Sequence, residues 1–195
     1  KMKIGVRAHD YGKHSIEGLA SLLREEGYDG AQLALPKVFE EIDSYEDIRL
    51  SHIERIRRAF EKNRVEIPVM GCYMDLGNPD RSVREYAVET LKNCLLYAKE
   101  MGAGVVGTET AYPRLSREER AAWCPYMMDS LMRVMEEAQR IDMKLAIEPV
   151  YWHPLADLET TLKTIRMVGD PDHLRLIFDA SNLLEFPETT DQDAY

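Results

Sequence analysis

Short apolar segments alternate along the chain with longer stretches in which apolar residues recur every three or four positions. The short segments are rich in β-branched residues and predict strands at residues 3–7, 30–34, 66–72, 104–108, 145–150 and 174–179. The longer stretches predict amphipathic helices at residues 15–26, about 47–63, 81 to about 101, 116–138 and about 157–168. Regular strand–helix alternation indicates parallel strands with right-handed crossovers. Two architectures fit this pattern, an open doubly wound sheet and a (β/α)8 barrel.

Two features of the strand ends favour the barrel. The segment after the first strand, residues 7–14, lacks the glycine-rich phosphate loop of dinucleotide-binding sheets. Polar side chains follow nearly every strand, at His9, Gln32, Tyr73, Asp75, Glu109, Glu148 and Asp179. A barrel mouth draws its catalytic groups from several such strand ends. We therefore predict an α/β fold of the (β/α)8 TIM barrel type, with about six βα units present in this chain.

The length bears on the domain organisation. A complete barrel of eight units takes about 250 residues, whereas this chain has 195. We interpret residues 1–195 as a single TIM-barrel domain that is C-terminally incomplete, and we expect the remaining units beyond Tyr195.

Composition and charge narrow the class of protein. Hydrophobic residues make up 45% and charged residues 31% of the chain, as in an ordinary globular domain, and no apolar stretch approaches the roughly 18 residues that span a bilayer. The formal net charge of −10 argues against a nucleic-acid partner, although a local basic pocket remains compatible with it. Three cysteines without close spacing suggest neither a disulfide framework nor a zinc cluster. We predict a cytoplasmic protein with no membrane partner.

Two carboxylates stand at the ends of buried apolar strands. Glu148 follows Leu145-Ala146-Ile147, and Asp179 follows residues 174–178. A carboxylate in such a place loses solvation worth about several kcal/mol, so it needs a metal ion, a cation or hydrogen-bond donors nearby. Because consecutive parallel strands end at the same edge, both carboxylates are expected there. The alternative is structural: Glu148 accepts hydrogen bonds from a helix end or pairs with a lysine.

Three short motifs carry a resemblance to a known family. The segments Ala146-Ile147-Glu148-Pro149, Ile177-Phe178-Asp179-Ala180-Ser181-Asn182 and Gly107-Thr108-Glu109-Thr110 resemble the xylose isomerase-like TIM-barrel superfamily of sugar phosphate isomerases and epimerases. The resemblance implies a divalent metal, commonly Mn²⁺ and sometimes Mg²⁺, Co²⁺ or Zn²⁺, with Glu148 and Asp179 as its first two ligands. A His and a Glu from later strands would complete the site. Asn182 stands where the family often has a histidine, and its amide is suited to a sugar hydroxyl.

The resemblance also implies an activity. It points to a metal-dependent isomerase or epimerase of carbohydrate metabolism, acting on a small sugar or sugar phosphate through an enediolate, with Glu148 as general acid and base. One alternative is a dehydratase or lyase acting on a cyclitol or shikimate-type substrate. An abasic-site endonuclease is disfavoured by the acidic charge and by Asn182. A further alternative is a non-catalytic sugar-binding barrel, and the family resemblance allows for a homo-oligomer.

Other polar residues are weaker candidates for substrate binding. They are Asn182, Glu109, His9, Trp152 and His153. Trp152 and His153 lie in a loop just after Glu148, where the indole is placed to stack on a sugar face. Each has a structural alternative: Glu109 as a loop-capping carboxylate, His9 as a surface histidine, Asn182 as a turn residue and the 151–154 segment as a plain packed loop.

Overall fold

The sheet runs in sequence order. The computed structural model describes residues 2–184, and its six strands form one sheet in the order β1-β2-β3-β4-β5-β6. The strands are β1 Gly5–Arg7, β2 Gly30–Leu33, β3 Glu66–Gly71, β4 Val105–Thr108, β5 Leu145–Ile147 and β6 Leu174–Leu176. The helices are α1 Ile16–Glu25, α2 Leu35–Val38, α3 Leu50–Asn63, α4 Arg81–Met101, α5 Arg117–Ile141, α6 Leu158–Val168 and α7 Ala180–Leu184. An order without reversal is that of a barrel and not of a doubly wound sheet, so the predicted α/β barrel class is confirmed.

The chain divides into two compact units, and β4 contributes to both. The first comprises the residues up to Cys72 together with Asn93–Val106. It contains α1 and α3, each of which buries one apolar stripe: Ile16, Leu19, Ala20 and Leu23 on α1, and Ile53, Ile56, Ala59 and Phe60 on α3. Arg55 joins the two helices through Glu17 at 2.8 Å. The helical periodicity of the sequence therefore predicts the buried faces correctly.

The second unit comprises Tyr73–Lys92 and the described residues from Gly107 onward. All three residues of β5 are buried, and β6 pairs with β5 in parallel, with Ile147 opposite Leu176. The helix α5 buries Met127, Ser130, Leu131, Val134, Met135, Ala138 and Ile141. Ser116 caps it in a capping box with Glu119, as the spacing of these two residues predicts. This packing presents the C-terminal ends of β5 and β6 next to each other.

Several predicted boundaries are wrong. The strands predicted at 145–150 and 174–179 end at Ile147 and Leu176. Pro149 has no N–H for the ladder, and just after β6 the N–H of Ile177 donates to the Ile147 carbonyl at 3.0 Å. The helix predicted from about 47 begins at Leu50, after a 3₁₀ turn over Tyr45–Asp47. The four-residue helix α2 was not predicted.

None of the helices in the described part of the chain is long and apolar enough to cross a membrane. The prediction of a single domain continuing beyond Tyr195 stays a prediction.

Candidate functional site

Glu148 lies at the first position after β5, with only 9% of its surface exposed. Its backbone N–H donates to the carbonyl of Thr108 on β4 at 2.9 Å, so the sheet ladder sets the position of its Cα. The side-chain amide of Asn182 donates to Oε1 of Glu148 at 2.8 Å. Two neighbouring chain segments thus orient this carboxylate.

Asp179 lies between β6, the strand beside β5, and α7. Its Oδ1 accepts hydrogen bonds from the backbone N–H of Ser181 at 3.0 Å and from the Ser181 hydroxyl at 2.5 Å. Within residues 2–184 no hydrogen bond reaches Oδ2. The structure therefore places Asp179, Asn182 and Glu148 at one edge of the sheet, with one oxygen of Asp179 available to a ligand.

Thr108 and Thr110 hold three strand ends together. Thr108 is fully buried, and its hydroxyl accepts from the N–H of Met74 at 3.3 Å and donates to the Glu109 carbonyl at 2.9 Å. The carbonyl of Thr110 accepts from the N–H of Gly77 at 3.1 Å, and its hydroxyl accepts from the N–H of Leu155 at 3.4 Å. These bonds connect the loops after β3, β4 and β5. Neither threonine was predicted as a site residue, although both occur in the Gly-Thr-Glu-Thr motif.

Glu109 and His153 form a loose pair beside this connection. The distance from His153 Nδ1 to Glu109 Oε2 is 3.7 Å, too long for a hydrogen bond. His153 is 1% exposed, and burial lowers the pKa of its imidazole to about 4. Its Nδ1 is buried without a hydrogen-bond partner in the described residues. At neutral pH the imidazole of His153 is therefore uncharged.

Trp152 is half-buried and has one face covered. The guanidinium of Arg114 lies 4.2 Å from the centre of the indole, and the Tyr151 ring meets it edge-on at 4.5 Å. The carbonyl of Trp152 accepts a hydrogen bond from the N–H of Leu115 at 3.1 Å. The loop that follows β5 is thus fastened to the loop that follows β4, and at most the other indole face is left for a substrate.

Asp75 is a buried carboxyl group, which the sequence pattern identified only as a polar residue after a strand. It is 3% exposed and accepts a hydrogen bond from the Asn78 amide at 2.8 Å through Oδ2, whereas Oδ1 has no partner in the described residues. Burial raises the pKa of Asp75, and the Asn78 bond opposes that effect. Because orphaned buried carboxyl oxygens are rare, Asp75 joins the candidate residues of this unit.

His9 belongs to the first unit. It lies in a 3₁₀ turn over Ala8–Tyr11 directly after β1 and is partly exposed. Burial and the nearby Arg7 lower the pKa of its imidazole. Its role in substrate binding stays a prediction.

The donor set of Glu148 and Asp179 suits a hard divalent cation, which prefers carboxylate oxygens. Among residues 2–184, no group of three or more His, Cys, Asp or Glu side chains is arranged to hold a metal ion. Glu148 and Asp179 as metal ligands therefore stay a prediction, and so do the further His and Glu.

Comparison with solved structures shows the same fold in several proteins. The 3-keto-D-glucoside 4-epimerase of E. coli is 16% identical with a TM-score of 0.76, over 96% of this chain and 72% of its own. A probable 3-DHS dehydratase from Bacillus anthracis is 15% identical with a TM-score of 0.69, over 95% and 65%. A TIM barrel protein from Mycobacterium smegmatis, in complex with magnesium, is 15% identical with a TM-score of 0.73, over 98% and 70%.

These identities establish the fold alone, and the chain spans about two thirds of the length of these structures. A comparison with curated proteins gives no significant match. The family model described as xylose isomerase-like TIM barrel matches residues 20–194. Because this match covers most of the sequence and the strand order agrees with it, the chain belongs to the xylose isomerase-like TIM barrel family.

Proposed function

We propose that this chain carries the proton-transfer carboxylate and two metal ligands of a sugar or sugar-phosphate isomerase or epimerase. The observation that supports this best is the setting of Glu148. Its backbone N–H donates to the Thr108 carbonyl, and its buried carboxylate accepts a hydrogen bond from the Asn182 amide. The Asn182 amide is a neutral donor, so it orients this carboxylate without cancelling its negative charge.

Glu148 and Asp179 would hold the divalent cation, each through carboxylate oxygen. When bound, the cation would chelate a substrate carbonyl and its adjacent hydroxyl, and this chelation would acidify the neighbouring C–H bond. Mn²⁺ is the ion we propose first, with Mg²⁺, Co²⁺ or Zn²⁺ as alternatives, and the magnesium complex of a structural relative supports a divalent ion of this kind. The Ser181 hydrogen bonds to Oδ1 keep the Asp179 carboxylate in one orientation.

Glu148 takes a proton from the carbon next to the substrate carbonyl. Its return to the neighbouring carbon gives an isomer. An epimer requires a second proton donor on the opposite face of the same carbon, a role we assign to the further Glu expected from a later strand. Proton transfer requires the carboxylate within hydrogen-bond reach of that carbon, and the Asn182 amide limits its movement.

The remaining candidates would contact the sugar. Glu109 can accept a hydrogen bond from a hydroxyl, Asn182 can donate its second amide hydrogen, and the open face of Trp152 can stack on a sugar ring. His153 would line the pocket through Glu109, its neighbour at 3.7 Å. The name of the E. coli relative, a keto-glucoside epimerase, supports a sugar as substrate.

The Glu148→Gln variant tests the proposal. It keeps the shape of the side chain but cannot accept a proton, so we expect turnover to fall by about 10²–10⁴-fold. The matched control is Glu136→Gln, on an exposed position of α5, which should keep full activity. In D₂O the wild type should introduce deuterium at the carbon next to the carbonyl. A Glu148→Gln protein with full activity and unchanged deuterium exchange contradicts the proposed role.

Product analysis separates the candidate reactions. Ketoses that yield epimers or aldoses support the isomerase or epimerase, whereas loss of water from a cyclitol or dehydroshikimate supports a dehydratase, an activity named for one structural relative. Binding of sugar without any turnover would support a non-catalytic barrel.

A further inference from the structure

A cavity of about 310 Å³ lies between the N-terminal parts of α5 and α6 in the second unit. Its charged lining consists of three basic side chains, those of Arg117, Arg120 and Lys163, and one acidic side chain, that of Asp157. None of the residues that line it belongs to the candidate site described above. In a chain with a net charge of −10, such a concentration of positive charge is an exception to the overall composition.

Two of these basic side chains lie at the N-terminus of a helix, where positive charge is unfavourable. Arg117 is the first residue of α5, and Arg120 follows one turn later. The N-terminus of a helix carries a partial positive charge, so acidic residues such as Glu118 and Glu119 are favoured there and arginines are not. A bound anion in the cavity would offset this repulsion.

The lining of the cavity carries three basic side chains against one acidic one, and Arg120 also donates to the Tyr151 carbonyl. Asp157 is the N-cap of α6, and its Oδ1 accepts a hydrogen bond from the N–H of Thr160 at 2.8 Å. Cys124 donates from Sγ to the Pro154 carbonyl at 3.3 Å, and burial raises the pKa of its thiol, which keeps it uncharged at neutral pH. The cavity lining is therefore positively charged at neutral pH.

A smaller apolar cavity continues from the basic one. It has a volume of about 150 Å³, shares Cys124, Thr160 and Lys163 with its neighbour, and is lined by Met127, Met128 and Met167. Glu159 also contributes to it. Methionine side chains adapt to apolar groups of varied shape, so this part suits a short hydrocarbon.

We propose that the two cavities together bind a small phosphate monoester. Its phosphoryl group would lie among Arg117, Arg120 and Lys163, and its apolar part would cover the three methionines. A volume of this size holds a small metabolite rather than a polymer. Arginine and lysine are the usual ligands of phosphoryl oxygens, and the negative charge of the whole chain argues against a nucleic acid.

The test is calorimetric titration of the protein with inorganic phosphate and with n-butyl phosphate, at constant ionic strength. We expect saturable binding of both, about tenfold tighter for butyl phosphate because it buries one or two methylene groups more. Lys163→Gln should weaken both ligands by about tenfold through loss of one charged hydrogen bond. The matched control is Arg166→Gln, also exposed and on α6 but outside both cavities, and it should change neither affinity more than about twofold.

The Met167→Gln variant tests the apolar part separately. It should remove the preference for butyl phosphate and leave the affinity for inorganic phosphate unchanged. Absence of saturable binding to the wild type overturns the proposal. Equal losses in the Lys163 and Arg166 variants also overturn it, because they would indicate a diffuse charge effect. Inorganic phosphate bound as tightly as butyl phosphate would overturn the monoester part.

Discussion

The Asn182 amide donates a hydrogen bond of 2.8 Å to Oε1 of Glu148, joining the start of α7 to the end of β5. The two residues are 34 positions apart in sequence, and adjacent parallel strands bring them together. Where the family often has a histidine, this chain has an amide that acts on the proposed catalytic carboxylate itself. We therefore propose Asn182 as a positioning residue for Glu148 as well as a contact for substrate.

Asn182→Ala should lower the affinity for Mn²⁺ by about 10-fold or more, because the carboxylate loses the donor that orients it. Calorimetric titration with Mn²⁺ measures this. The control is Asn63→Ala, which removes an amide that donates to the Ala59 carbonyl at 2.8 Å in the first unit. Equal Mn²⁺ affinity in the wild type and the Asn182 variant would show that the amide does not orient a metal ligand.

Thr108→Val should reduce the free energy of unfolding by about 1–3 kcal/mol. Valine has the same shape but cannot accept the hydrogen bond from the N–H of Met74, a residue that is 2% exposed. Urea unfolding measures the change. Thr164→Val, at another buried threonine, serves as the control for the loss of a hydroxyl. Equal losses of unfolding free energy in the two variants would mean that the hydrogen bond between the β3 and β4 loops stabilises the fold no more than another buried hydroxyl does.

Stability should decrease as the pH falls below about 6.5, in part because of His153. In the unfolded chain the pKa of the His153 imidazole is near 6.5, whereas burial lowers it to about 4 in the folded state. Between pH 6.5 and pH 4 the unfolded chain therefore binds more protons, and lowering the pH favours unfolding. Between pH 7 and pH 5 this contribution amounts to about 2 kcal/mol. The His153→Leu variant should show a correspondingly flatter dependence in urea unfolding. An imidazole of His153 that titrates near 6.5 by NMR would contradict the prediction.

Asp75→Asn should raise the free energy of unfolding at neutral pH by about 1 kcal/mol. Burial raises the pKa of Asp75 in the folded state, so ionisation at neutral pH favours the unfolded chain. The asparagine carries no charge, and its advantage should shrink as the pH falls through the folded pKa and the wild-type carboxyl takes up its proton. Unfolding in urea at about pH 7 and pH 4 gives both values. A lower stability of the variant at both pH values would mean that the charge of Asp75 has a partner.

Periodicity was enough to predict the helices that bury one face. The stripe of Ile16, Leu19, Ala20 and Leu23 and the Ser116–Glu119 capping box are local signals, readable from side chains within a few positions of each other. The ends of β5 and β6 were placed too late, because an apolar residue such as Phe178 continues the pattern although it is 71% exposed and outside the ladder. Whether such a residue is paired depends on the neighbouring strand.

The apolar segments before Glu148 and Asp179 were sufficient to predict that both carboxylates follow consecutive strands and share one edge of the sheet. The side chains that surround them could not be predicted in this way. The hydrogen bond from Asn182 to Glu148, the bonds of the two buried threonines and the burial of His153 all depend on contacts between segments distant in sequence. The physical reason is that hydrophobic periodicity reports the face that a residue occupies, whereas hydrogen bonds between loops depend on distances that only the packed sheet defines.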